Sequence, residues 1–178
     1  KGVEDFVSVS EREAAFTNPE QALDFVERTG CDSLAISIGT AHGAFKAKGD
    51  PQLDIARLRR INALLPKTPL VLHGASSVPE ELVGETQMYC SLLQDCQRLE
   101  GAKGIPDKQI RQAIQFGIAK INTDTDLRIA FTAAVREALV EDKKLYDPRK
   151  LLGPARDKVR AIVEQRIRVF GSTKKISA

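Results

Sequence analysis

Three short apolar runs constrain this chain more than anything else in it. They are residues 33–39 (SLAISIG), 69–73 (PLVLH) and 119–122 (AKIN). Each is rich in Ile, Leu or Val and is bounded by turn residues, which predicts short buried strands. Their apolarity is nearly continuous rather than alternating. That predicts a parallel sheet covered on both faces.

Helical patterns lie between and after the runs. Asn18 and Pro19 form a cap followed by proline at the first helical position, and Gly30 closes that helix. Asp50-Pro51 is expected to open a second helix with Ile55, Leu58, Ile61, Leu64 and Leu65 on one face. Pro106 opens a third, with Ile110, Ala113 and Ile114 inward and Gly117 at its end. Thr125 or Asp126 caps a fourth that runs to about Glu141. A last helix is expected from near Pro154 to Gly171. Residues 85–100 show no clean period and are expected as a surface excursion or a short helix of their own.

Strands alternating with helices predict an α/β fold with right-handed crossovers. A barrel and a doubly wound sheet both fit that order. A closed (β/α)8 barrel needs at least ~200 residues, and this chain has 178.

Composition narrows the function classes. Hydrophobic residues make up 42% and charged residues 29%, an ordinary globular balance. The net charge is +3 and the basic residues are dispersed, so nothing points to nucleic acid. Arg57, Arg59 and Arg60 read as a solvated helix face. No run of ~18 apolar residues occurs, so no membrane span is expected. The stretch Lys1-Gly2-Val3-Glu4-Asp5 does not read as a signal peptide. The three cysteines, Cys31, Cys90 and Cys96, are irregularly spaced and are expected as free thiols in a reducing cytoplasm.

The residues that carry chemistry sit just past the predicted strands. They are Gly39-Thr40-Ala41-His42-Gly43, then His73-Gly74-Ala75-Ser76-Ser77, then Asn122-Thr123-Asp124-Thr125-Asp126. In α/β folds the carboxyl ends of parallel strands form the binding face. The only two histidines, His42 and His73, occupy matching places, each ending an apolar run ahead of glycine. Two such histidines can share a metal ion, although a catalytic zinc usually takes three protein ligands. The alternative is that each is a hydrogen-bonded structural histidine at a strand end. The Gly74–Ser77 turn offers backbone amides and hydroxyls to a phosphate. Equally, Ser77 fits as a cap of the following helix, supported by Glu80 or Glu81. Four polar residues in a row, Asn122 to Thr125, are more than a cap requires and suggest a substrate-facing loop.

These residues resemble class II fructose-bisphosphate aldolases. The resemblance rests on residues 37–46 (SIGTAHGAFK), 70–76 (LVLHGAS) and 120–128 (KINTDTDLR). Residues 146–150 (YDPRK), 153–156 (GPAR) and 170–172 (FGS) resemble that family's C-terminus. The likeness covers nearly the whole chain apart from 85–100.

The resemblance implies a (β/α)8 TIM barrel. Residues 1–178 would be the C-terminal part of that single domain, with about strands six to eight. It implies that His42 and His73 are metal ligands, for zinc or another divalent metal. It implies that Gly43, Gly74, Ala75 and Ser76 bind the phosphate of dihydroxyacetone phosphate. Asn122, Thr123, Asp124 and Thr125 would line the same substrate, with Asn122 near the reacting carbons. Glu4 resembles the proton-moving glutamate of a mobile loop, although Lys1 stands where the family usually has glycine. A monovalent cation near the phosphate is also implied.

The implied activity is metal-dependent cleavage and condensation of fructose 1,6-bisphosphate, a step of glycolysis and gluconeogenesis. Its products are dihydroxyacetone phosphate and glyceraldehyde 3-phosphate. The implied setting is a cytoplasmic homo-oligomer acting on a small phosphorylated sugar, with no membrane or nucleic-acid partner. Tagatose-bisphosphate aldolase is the near alternative. The sequence lacks the family's Asp-His-Gly motif, which carries the third histidine and the acid–base aspartate. A phosphate-binding module without catalysis is therefore the rival reading.

Overall fold

In the computed structural model the described residues are 16–40, 51–93 and 102–175. The elements follow in the order α1 (Pro19–Thr29), β1 (Leu34–Ile36), α2 (Ile55–Leu64), β2 (Leu70–Leu72), α3 (Glu80–Leu93), α4 (Asp107–Gln115), β3 (Ile118–Ile121), α5 (Thr125–Glu141) and α6 (Pro148–Val169). The three expected strands are present and all pair in parallel, in the order β1-β2-β3. The chain divides into two compact units. One is Lys1–Ser77 with Gly104–Thr123, and the other is Val78–Lys103 with Asp124–Ala178.

The first unit holds the sheet with α1, α2 and α4. Its centre is apolar: Ile38, Leu58, Ile61, Leu70, Leu72 and Ile110 are fully buried. Full burial of such side chains stabilises the unit by about 1.5–3 kcal/mol each before entropy is counted. Only β2 is buried at every position. Ala35 of β1 and Ala119 and Lys120 of β3 are exposed, so the expectation of a sheet covered on both faces holds for the middle strand alone. The flanking strands pair on one side only within the described residues.

The helix ends follow local chemistry. The Asn18 side chain accepts from the Gln21 amide at 3.0 Å, and Gly30 takes φ 63° to end α1. α2 starts later than Asp50-Pro51 suggested. Its cap is Asp54, which accepts from the Arg57 amide at 2.8 Å. The reason is that the preceding residues are held elsewhere. The Leu53 amide donates to Gln109 at 2.7 Å, and the Asp54 amide donates to the Ile38 carbonyl at 2.8 Å.

The arginine cluster is better engaged than a bare solvated face. Arg57 pairs with Asp54 at 3.0 Å and lies over the Phe16 ring, Arg59 lies over Phe116, and Arg60 pairs with Glu20.

The second unit is helical. α5 packs against both α3 and α6. Residues 85–93, read as aperiodic, continue α3. Its buried positions Leu82, Thr86 and Cys90 do share a face, but Thr86 hides its polarity by donating to the Leu82 carbonyl at 2.7 Å. A threonine on the inward face is what blurred the period. Residues 94–100 lie outside the described residues.

α6 begins at Pro148, not near Pro154. Asp147 caps it by accepting from the Arg149 amide at 2.9 Å, and Pro148 takes the first helical position. Pro154 lies inside the helix and removes one amide donor without ending it. Cys31 is a free thiol as expected, whereas Cys90 is disulfide-bonded, which corrects the reading of three free thiols. No helix among the described residues is long and apolar enough to cross a membrane.

Candidate active site at the strand ends

His73 follows the buried strand β2 directly and is half-buried. Asn122 follows β3 directly. Parallel pairing of β2 with β3 sets Leu72 beside Ile121, so the next residue of each strand falls side by side. The Asn122 amide nitrogen lies 3.1 Å from His73 Nδ1 and 3.2 Å from Nε2. The amide nitrogen is thus nearly equidistant from the two ring nitrogens and in line with neither lone-pair direction. The Asn122 backbone amide donates to the Leu72 carbonyl at 2.9 Å, which extends the ladder one residue past the strands.

The turn after His73 is buried. Ala75 is fully buried and Ser76 is 2% exposed. Gly74 takes φ 60°, a left-handed conformation that glycine adopts without steric cost. The Ala75 amide points to the Asn122 carbonyl at 3.4 Å, a long contact that ties the turn to β3 rather than presenting this amide to a ligand. Thr123 Oγ1 is shielded from solvent and has no hydrogen-bond partner among the described residues. A buried hydroxyl left in that state is uncommon.

The other expected residues fall elsewhere. Gly39, which ends the first apolar run, takes φ 111°. A β-carbon there would stand 2.5 Å from the Gln52 carbonyl oxygen, so only glycine fits. Asp124 precedes α5 and pairs with Arg128 at the exposed surface. Its carbonyl accepts from the Leu127 amide at 2.9 Å, while its side chain makes no capping bond. Thr125 is the first residue of α5 and is half-buried. Glu4, His42 and Gly43 lie outside the described residues.

Two features escaped sequence reasoning. The first is the segment Gly104-Ile105. The Ile105 amide donates to the Ser76 carbonyl at 2.9 Å. Its signal was the Gly-Ile-Pro sequence at 104–106, a break that was read only as the start of a helix. The second is the side chain of Asp126. It is fully buried and accepts from the Val78 amide at 2.7 Å. Val78 takes φ 46°, a genuine outlier for a β-branched residue. The sequence suggests Asp126 as a cap of α5 or as part of the polar run after the third strand, not as a buried partner of Val78. In the same unit Tyr89 donates to Glu137 at 2.7 Å, and that bond, with some burial and neighbouring carboxylates, pushes its hydroxyl up to about 12.

Among the described residues no three His, Cys, Asp or Glu side chains gather as a metal site. His73 is the one expected ligand that they contain, and one imidazole does not hold a catalytic zinc. The described residues alone therefore do not complete such a site.

A parallel α/β sheet with a histidine, an asparagine and a glycine turn at its carboxyl end defines a strand-end site of the kind that α/β enzymes carry. The comparisons give the family. The class-II fructose-bisphosphate aldolase family matches residues 1–175, and the chain belongs to that family. It is 53% identical to the fructose-bisphosphate aldolase of Thermus caldophilus over 171 residues, covering 96% of this chain and 54% of the relative. It is 45% identical to the fructose-bisphosphate aldolase of Helicobacter pylori (strain J99) over 175 residues, covering 98% of this chain and 55% of the relative.

Two solved structures are similar. The YdjI aldolase from Escherichia coli K12 is 33% identical with a TM-score of 0.60, covering 90% of this chain and 47% of that one. A putative fructose-1,6-biphosphate aldolase from Coccidioides immitis is 25% identical with a TM-score of 0.64, covering 90% and 45%. The chain thus spans about half the length of the relatives it matches.

Proposed function

We propose that this chain contributes the carboxyl-terminal strands, about six to eight, of a (β/α)8 aldolase barrel that cleaves and re-forms fructose 1,6-bisphosphate. The observation that carries the reading is the side-by-side placement of His73 and Asn122 past two parallel strands, with the glycine turn following His73. Family membership supports the activity. Among the described residues each outer strand pairs on one side only, which suits the addition of further strands.

In this reading His73 is a ligand of a divalent metal, zinc first, and His42 is a second. When bound, such a metal supplies a Lewis acid for the negative charge that forms on the three-carbon ketone as the carbon–carbon bond breaks. The remaining ligands belong to residues outside those described.

The chain's own groups do the rest. The Asn122 amide N–H, beside His73, would donate to a substrate oxygen brought up to that histidine and keep the oxygen oriented. Gly74 and Ala75 narrow the turn, and Ser76 donates to the phosphate. The shielded Thr123 hydroxyl donates into the same pocket. Phosphate held there, away from the reacting carbons, turns remote binding into orientation. Asp124 and Thr125 are proposed to line substrate, and Glu4 to move a proton.

Asn122→Ala tests this directly in the whole protein. Wild type is expected to cleave fructose 1,6-bisphosphate. The variant is expected to lose about a hundredfold in kcat, since removing one positioned donor of this kind costs about that. Absence of cleavage by wild type, or full activity in the variant, would contradict the reading.

A further inference from the structure

The peptide that joins Ser76 to Ser77 is gripped from one side. The Ile105 amide donates to the Ser76 carbonyl at 2.9 Å, and Ile105 is fully buried. Gly104 lies against that peptide's carbonyl oxygen and against the carbonyl of Ser77 that follows it. A β-carbon on Gly104 would stand 2.3 Å from the Ser76 carbonyl oxygen, 2.3 Å from the Ser77 carbonyl carbon and 2.5 Å from the Ser77 carbonyl oxygen. Those atoms are backbone, so no side-chain rotation relieves the clash. Gly104 is therefore excluded from carrying any side chain while the turn keeps this shape.

The peptide bond is planar and trans, so its C=O and N–H point in opposite directions. With the Ser76 carbonyl turned toward Ile105, the Ser77 amide is turned the other way. Its direction is thus set by the 104–105 segment. Backbone amides aimed together from a turn are a means of holding an anion.

We propose that Gly104 and Ile105 form a positioning brace that orients the Ser77 amide as a phosphate donor, adding Ser77 to the binding turn. This rests on the aldolase reading given above. Gly104 and Ile105 do not touch the substrate. They act through the Ser76–Ser77 peptide.

The test uses the whole metal-loaded protein, with fructose 1,6-bisphosphate as substrate and inorganic phosphate as competing probe. In Gly104→Ala the turn must shift. KM for the bisphosphate and the inhibition constant for phosphate are expected to rise together, by about tenfold or more, as expected for a lost hydrogen bond to a charged group. The value of kcat is expected to change much less. A second variant replaces residue 105 by the α-hydroxy acid of isoleucine. That deletes the N–H and keeps the side chain, and it is expected to move the same two constants in the same direction.

A folded Gly104→Ala protein with a lowered Tm but an unchanged phosphate inhibition constant would overturn the brace. So would an ester variant in which that constant does not move. If wild type neither cleaves the bisphosphate nor responds to phosphate, the aldolase reading falls and the brace falls with it. If wild type does both and the variants match it, the brace alone is wrong.

Discussion

His73→Ala is expected to strip the bound metal and to reduce cleavage of fructose 1,6-bisphosphate by more than about a hundredfold. Loss of a mere supporting partner of a metal ligand costs about 10–100-fold, so loss of a ligand must cost more. The same change is expected to leave the fold in place. His73 is half-buried and stands after β2, whose Leu70 and Leu72 are fully buried without it. The Asn122 amide beside it stays tethered through the Asn122 backbone bond to the Leu72 carbonyl at 2.9 Å. Metal analysis together with a thermal melt separates the two effects. A variant that keeps its metal and its activity would show that His73 is the structural strand-end histidine that the sequence also allowed.

Asp126→Ala is expected to have the largest effect on stability. The carboxylate is fully buried and accepts from the Val78 amide at 2.7 Å. Truncation leaves that amide, on a residue that is 3% exposed, without this acceptor. A buried hydrogen bond to a charged group contributes about 1.5–3 kcal/mol. The loss also releases Val78 from φ 46°, a conformation it does not favour by itself. A destabilisation of about 2–3 kcal/mol is expected from urea unfolding. With Asp126 present, Val78→Gly is expected to gain about 1 kcal/mol, because glycine takes positive φ without steric conflict, and in the Asp126→Ala background, where Val78 has left that conformation, it is expected to gain much less. A loss below about 0.5 kcal/mol, the range of an ordinary surface substitution, would mean that the bond does not hold the loop. Equal effects of Val78→Gly with and without Asp126 would mean the same.

Much of this architecture was written locally. All three strands were readable because each is a short apolar run closed by turn residues. The ends of α1 were readable because Asn18, Pro19 and Gly30 each satisfy a backbone requirement within a few positions. Other boundaries were not, because distant residues decide them. The start of α2 moves to Asp54 once Gln109, on another helix, takes the Leu53 amide. The start of α6 was misread because Pro154 looked like a beginning, while Asp147-Pro148 supplies both cap and first residue.

The site shows the same division. His73, Gly74 and Asn122 announce themselves by type and by place after a strand. Gly104 does not, because its constraint is a close approach to Ser76 and Ser77, more than twenty-five positions earlier in the chain. Asp126 looks like any acidic residue in a first helical turn, and its full burial and tertiary bond to Val78 tell it apart.

His73 is proposed as part of a metal-dependent aldolase site. Metal content and chelator sensitivity of the protein as purified from its source test it most directly. The account predicts stoichiometric divalent metal, and cleavage of fructose 1,6-bisphosphate that EDTA abolishes and added zinc restores. Cleavage that persists undiminished in metal-free protein would contradict it.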